Sequence, residues 1–388
     1  MRSTRRGALV ALPLPGLLLA GLVLTGCSTA AADPEPALDY DAMSHEQLVE
    51  AATEEGAVTV YAFTSRIASV EDAFEAEHPG IDVTAIDISS TEMITRLVSE
   101  HEAGSATADV AYLSDAPVVI PELVETGILH AYVPERVAGA LAEEHTSPLL
   151  AQRLSTKILM YNEEAHPEGS PVSNLWELTQ PEWAGRVVMV DPNVRGDYLD
   201  LATELSLRAD EMAAAYEELT GEALVLDEGV ADAGQQFLAQ LYANDAVLVD
   251  DTDAVNAAVG TTGQTAPPVG FTSYSDRRDN EEEGWALQAA SGVAPANGIV
   301  FPALLGVTEG AEHPAAARLM IDFLMGDDSE TGGAGYEPFY VAGDYPTRTD
   351  VVPHEDALPL DELGAWSIDP EATVELRDET ADFLLTIQ

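Results

Sequence analysis

In 388 residues there is one lysine, Lys157, and one cysteine, Cys27. The lone cysteine excludes an intramolecular disulfide and a thiolate metal cluster. With 16 Lys and Arg against 69 Asp and Glu, the net charge is −53. A chain this acidic has no basic face for a phosphate backbone, which excludes nucleic acid as a partner. Missing too are the G-x-S-x-G nucleophile elbow, the H-E-x-x-H zinc helix, the phosphate-cradling P-loop and the dinucleotide fingerprint. The glycines at 332, 333 and 335 do not complete G-x-G-x-x-G and read as a flexible loop. The chain therefore reads as a non-enzyme, with a carboxylate-based hydrolase kept as an alternative because the acids are so numerous.

Hydrophobic residues make up 46% of the chain, enough for a large core, and the length suits two domains. Acid spread along the whole chain at the expense of lysine resembles proteins adapted to high salt, where counter-ions screen self-repulsion. An ordinary acidic envelope protein is the alternative.

The N-terminus carries Arg2, Arg5 and Arg6, then an apolar run from Ala8 to Leu24 interrupted by Pro13 and Pro15. That is the layout of an export signal rather than of a spanning helix, which needs about 20 apolar residues. Leu24-Thr25-Gly26-Cys27 resembles the bacterial lipobox, and the resemblance makes Cys27 the site of lipid attachment. Thr4-Arg5-Arg6 with Leu9 resembles a twin-arginine motif, so either export route remains open. Loss of residues 1–26 takes the net charge from −53 to −56, because three arginines go and no acid does. An anchor working against that charge needs more than one acyl chain, at about 0.8 kcal/mol per buried CH₂.

Residues 27–44 read as anchor and tether, rich in Ala, Pro, Asp and Glu. Beyond His45, strand-like runs alternate with helix-period segments: 58–63, a helix ending at His78-Pro79-Gly80, 81–87, a helix with Met93, Ile94, Leu97 and Val98 on one face, and 108–113. This alternation predicts βαβ units on a parallel sheet. A second set follows at 156–162, 186–192, 246–251 and 268–274, and then 299–307 before a helix whose Ala316, Leu319, Met320, Phe323 and Leu324 form one apolar stripe. Ligands of such sheets lie beyond the carboxyl ends of the strands, which directs attention to 64–68, 89–92 and 114–116.

Six segments resemble the solute-binding proteins of ABC importers, in the subfamily of ferric-iron binders and binders of small anionic or phosphorylated solutes. They are EGAVTVYAFTSR (55–66), AFEAEHPGIDV (73–83), SSTEMITRL (89–97), LWELTQPEWAGRVVMVDP (175–192), AEHPAAARLMIDFLM (311–325) and DYPTRTDV (344–351). The resemblance implies an α/β, two-lobed periplasmic-binding-protein-like fold of type II, with doubly wound sheets and hinge crossover strands. Lobe 1 is expected over 45–153 plus 299–345 and lobe 2 over 154–298 plus 346–388. It also implies an exported, lipid-anchored monomer on the outer face of the cytoplasmic membrane. Its partners would be an ABC permease and a small-molecule or metal solute, with no cofactor beyond that solute. An adhesive or scaffolding envelope lipoprotein is the alternative.

The ferric members use clustered tyrosines, often with a histidine. Here Ile67 and Ala68 stand at the first of those positions, and of the later tyrosine pair only Tyr274 is kept, beside Ser275. Tyr274 is thus the candidate metal ligand if the solute is ferric iron. What remains is a set of hydroxyls with two arginines. Ser89, Ser90 and Thr91 sit where a strand gives way to a helix, a place that suits an anion site or a simple N-cap. Arg66 and Arg195 suit a carboxylate or phosphate gripped from opposite lobes, or a pairing with neighbouring acids. Ser65, Ser114, Asp115 and Asp197 complete the candidate set, the two acids either meeting a ligand amine or orienting the arginines. Asp250, Asp251 and Asp253 lack the calcium-loop pattern and read as a polar strand end.

Overall fold

The computed structural model describes residues 38–388; the export signal, the lipobox-like segment and Cys27 lie outside the described residues. The strands in chain order are β1 (Ala57–Ala62), β2 (Asp82–Asp87), β3 (Val110–Leu113), β4 (Leu129–His130), β5 (Leu150–Asn162) and β6 (Val187–Val190). They continue as β7 (Val247–Val249), β8 (Val269–Thr272), β9 (Leu287–Ala289), β10 (Gly298–Thr308), β11 (Tyr345–Pro346) and β12 (Trp366–Ser367). Hydrogen bonding runs β2-β1-β3-β10-β5-β8-β6-β7, with β4 and β12 on β10 and β9 and β11 on β5. Each end of this path is parallel, as the βαβ alternation predicts, while the middle is antiparallel through β3, β10, β5 and β8.

Two long strands belong to both halves. The first residues of β5 pair with β11 and with Ala303 to Leu305 of β10, and its later residues pair with β8 and β9. The apolar core divides accordingly. One half packs Val60, Phe74, Tyr112, Leu319 and Phe339, with a satellite cluster around Met93 and Leu123. The other packs Trp176, Val188, Leu201, Phe237 and Phe271. The first core extends to Val351, and the second takes in Ala357, Leu358, Leu363 and Leu384. Together they make the two-lobed α/β fold of a type II periplasmic binding protein, with β5 and β10 crossing between lobes.

Local chemistry explains the elements that frame the first lobe. Ser44 caps helix His45–Glu55 in a reciprocal pair with Gln47, and the Glu55 carboxylate accepts from Ala315 N and Ala316 N, the free end of helix Pro314–Leu324. All five residues of the expected stripe in that second helix are buried. Tyr40 and Asp41 already join this body, since Arg318 lies over the Tyr40 ring and pairs with Asp41 at 2.5 Å. The segment read as a flexible glycine loop is instead a turn and a short helix, Gly333–Tyr336. Gly335 sits so close to Phe323 O that a Cβ would overlap it, and Gly332 holds φ at 79°. Close packing, not looseness, accounts for these glycines.

Candidate functional site

A cavity of about 320 Å³ opens where the carboxyl ends of β1, β2 and β3 face those of β6, β7 and β8. The first lobe contributes the loops after β1, β2 and β3, with Thr64 to Arg66, Ser89 to Thr91, and Ser114 and Asp115. The second contributes Arg195 to Asp197, Asp251 to Asp253, and Ser273, Ser275 and Asp276. Between them the crossing strand β5 presents Arg153, Ser155 and Lys157, three alternate residues that share one face of an extended strand. The first turns of three helices border the same space, Ser90–Glu102, Gly196–Leu207 and Thr252–Gly260, and Arg66 reaches it from just before a fourth, Ile67–Glu77. Unsatisfied N–H groups and the positive end of each helix dipole favour negative charge there. Two of these turns are capped from the side, by Ser89 on Glu92 N and by Asp251 on Ala254 N.

The basic side chains are arranged around two buried acids. Asp344, in the turn before β11, accepts from Arg66 Nη1 at 2.6 Å and lies 3.1 Å from Arg153 Nε. Arg153 is fully enclosed, with the Phe339, Tyr112 and Phe63 rings around its guanidinium. Burial pulls it down to about 10, against the opposing pull of Asp344. Across the cavity Asp197 takes both Arg195 Nε and Nη2, at 3.1 and 2.9 Å, and Lys157 Nζ at 3.0 Å. Lys157 also donates to Ser273 Oγ at 2.7 Å, and Arg195 Nη1 to Thr252 Oγ1 at 2.9 Å. Burial lowers the Lys157 ammonium. Burial would raise the Asp197 carboxyl, but the Arg195 and Lys157 charges outweigh it and hold Asp197 well below the usual range. Both acids thus do what was left open for Asp197: they orient cations.

Asp115 differs. It follows β3 with φ at 65°, a conformation that aspartate tolerates better than most residues, and its side chain lies against Gly196 of the opposite lobe. A Cβ on Gly196 would fall inside the Asp115 carboxyl, so any other residue there would force the Asp115 side chain or the loops to shift. Asp115 is 4% exposed, and its Oδ1 has no hydrogen-bond partner among the described residues. Burial pushes its carboxyl up to about 6. Behind it lies a second cavity of about 410 Å³, bounded by Thr91, Val118 and Arg377.

Nine of the ten expected residues line the first cavity: Ser65, Arg66, Ser89, Ser90, Thr91, Ser114, Asp115, Arg195 and Asp197. Within the serine group the roles separate. Ser89 is the N-cap, whereas Ser90 Oγ is buried and joins Ser114 through both Oγ and N, tying two loops together. Tyr274 is placed elsewhere. It is 1% exposed, its hydroxyl donates to Asp356 O and accepts from Leu358 N, and Ser273 and Ser275 on either side face the cavity in its stead. Not foreseen were Arg153, Lys157, Ser155, Ser273, Asp276 and Asp344. The first three alternate along β5, but Gln152 and Thr156 beside them are polar too and mask that period in the sequence. Asp251 and Asp253, read as a polar strand end, prove to be a helix cap and a rim residue.

Residues 56–331 match the family model described as bacterial extracellular solute-binding protein. None of the curated proteins matches the chain. Among solved structures, iron-bound HitA from Pseudomonas aeruginosa is similar at 18% identity and a TM-score of 0.65, over 85% of this chain and 99% of that one. AfuA from Actinobacillus pleuropneumoniae, with fructose-6-phosphate bound, is similar at 17% identity and a TM-score of 0.62, over 85% and 97%. Apo ferric ion-binding protein A from Pasteurella haemolytica gives 15% and 0.62, over 86% and 98%. Those likenesses support the fold drawn from β5, β10 and the two cores, and the family match covers both lobes. The chain belongs to the bacterial extracellular solute-binding proteins.

Proposed function

We propose that the protein is the capture subunit of an ABC importer and that it holds a small anionic solute, a phosphate or carboxylate compound, in the cavity between its lobes. The observation that carries this reading is the convergence of three helix N-termini with Arg66, Arg153, Lys157 and Arg195 on one polar cavity. Backbone N–H groups, hydroxyls and guanidinium forks are the donors an oxyanion needs. Of two similar structures, HitA is iron-bound and AfuA has fructose-6-phosphate bound. The donor set here favours the anion. Among the described residues no tyrosine lines the cavity, and Tyr274 has its hydroxyl committed to backbone, so they present none of the phenolate oxygens that suit ferric iron.

The rest of the reading follows from this. A solute touching both lobes favours the closed form by its differential affinity, and a permease then meets that form. The lobes would divide where β5 and β10 cross and again after Val351. Lipidation at Cys27 would hold the capture subunit at the membrane from outside as a monomer, and the acidity of the chain fits a saline environment. A thermal-shift panel with inorganic phosphate, sugar phosphates, dicarboxylates, ferric citrate and ferric iron tests the proposal. Binding at a hundredfold excess over Kd adds about 2.7 kcal/mol to stability. A shift with one class of anion is expected, while a shift with ferric iron alone, or a flat panel across all anions, overturns it.

A further inference from the structure

The charges of the cavity are unevenly compensated. Arg66 and Arg153 share Asp344, and Lys157 and Arg195 share Asp197, so within these ion pairs four cations meet two carboxylates and exceed their direct partners by two. Arg278, by contrast, is matched by Asp276 and Asp279. A phosphomonoester dianion answers that surplus. Asp115 is the opposite case: a carboxylate walled in at the meeting of the two lobes, with one oxygen lacking a hydrogen-bond partner and no ion pair among the described residues; Arg377 and Arg195 act on it only from a distance, each lying against another acid, Asp200 and Asp197. An unpartnered buried carboxylate is costly, and a ligand that brings it a charged donor recovers that cost. The rim acids Asp87, Asp251 and Asp253 are exposed to solvent, although partial burial still raises the Asp87 carboxyl.

From this we infer that the solute is zwitterionic: its phosphoryl group meets the Arg66, Arg153, Lys157 and Arg195 cluster, and an ammonium group on the same molecule meets Asp115. The inference rests on the anion reading above and narrows it to phosphomonoesters that also carry an amine. Asp115 is then the residue that separates such solutes from plain phosphate esters. Its tendency to hold a proton when the cavity is empty fits a group completed only by a cationic ligand.

O-Phosphoethanolamine and ethyl phosphate differ by that ammonium group alone, and calorimetric titration of the purified protein with each at pH 7.5 tests the inference. Phosphoethanolamine should bind at least about 10-fold tighter, a ratio typical of one charged hydrogen bond. In Asp115→Asn, which keeps shape and burial, the two should fall within about twofold of each other. Equal affinities for the wild type overturn the assignment of Asp115 yet leave the anion reading standing. Retained discrimination in Asp115→Asn overturns it also. No binding of either compound, together with a flat anion panel, removes both readings, and the wild-type comparison stands even if the variant fails to fold.

Discussion

Arg153 and Asp344 form an ion pair whose side chains are 1% and 0% exposed, 3.1 Å apart, with a strand that crosses between the lobes supplying one partner and the turn before β11 the other. Removing one member of a buried pair strands the other in a medium that cannot solvate it. Asp344→Ala should therefore destabilise the protein by about 3–5 kcal/mol, read from urea unfolding, since it strands Arg153 and frees Arg66 together. Burial works to raise the Asp344 carboxyl, but Arg153 and Arg66 hold it below its ordinary value. Its contribution is thus complete above the ordinary carboxylate range and is lost as pH falls through the lower folded value. A variant as stable as wild type at neutral pH would show that water reaches the pair.

Lys157 stands on the same face of β5 as Arg153, and Asp197 keeps a two-pronged bond from Arg195 if Lys157 is removed. Lys157→Met preserves the stem and deletes only the charge, so the fold should survive. Affinity for the bound anion should fall by about 10- to 100-fold, the worth of one charge-assisted hydrogen bond. Unchanged affinity with normal folding would exclude Lys157 from the site.

Asp115 should give stability an unusual pH dependence. Burial pushes its folded carboxyl up to about 6 against an ordinary 3.8 and raises the neighbouring Asp200 as well, so between those values the folded state binds extra protons. Stability should then decline as pH rises through that window, the reverse of the trend from Asp344. Asp115→Asn should flatten this decline and melt higher than wild type at pH 7 and above. Thermal melts of the two proteins from pH 4 to 8 decide it, and parallel curves would mean that Asp115 is solvated.

Much of this was legible in the chain. Short-range period is enough to read helix Pro314–Leu324, the βαβ start and the Ser89 cap, because each depends on residues within two turns of one another. The loops after β1, β2 and β3 follow from the rule that such sheets bind at their carboxyl ends. What escaped depends on distant pairing. β5 begins at Leu150, earlier than its apolar run suggests, because β10 and β11 flank its first half. That extension turns Arg153, Ser155 and Lys157 from isolated polar residues into a cavity wall. Asp344 lies 191 positions after Arg153 in an ordinary-looking turn, and no local pattern joins them. Tyr274 was misplaced by a single step, since the residues on either side face the cavity and it faces away.

Gly196 offers the sharpest test of closure. Its Cα touches the Asp115 carboxyl across the line between lobes, and a methyl group there must either displace that side chain or drive the loops apart. The helix beginning at Gly196 tolerates alanine by propensity, so Gly196→Ala should leave the fold of each lobe intact. Both lobes must touch the solute for it to be held, so affinity should drop by at least about 10-fold, and most of the loss should be in the dissociation rate. Small-angle scattering should show the wild type contracting on addition of its anion and the variant failing to contract. A variant that binds and contracts like wild type would mean that the Asp115 side chain swings clear at no cost, and that the close approach of these two loops plays no part in holding the solute.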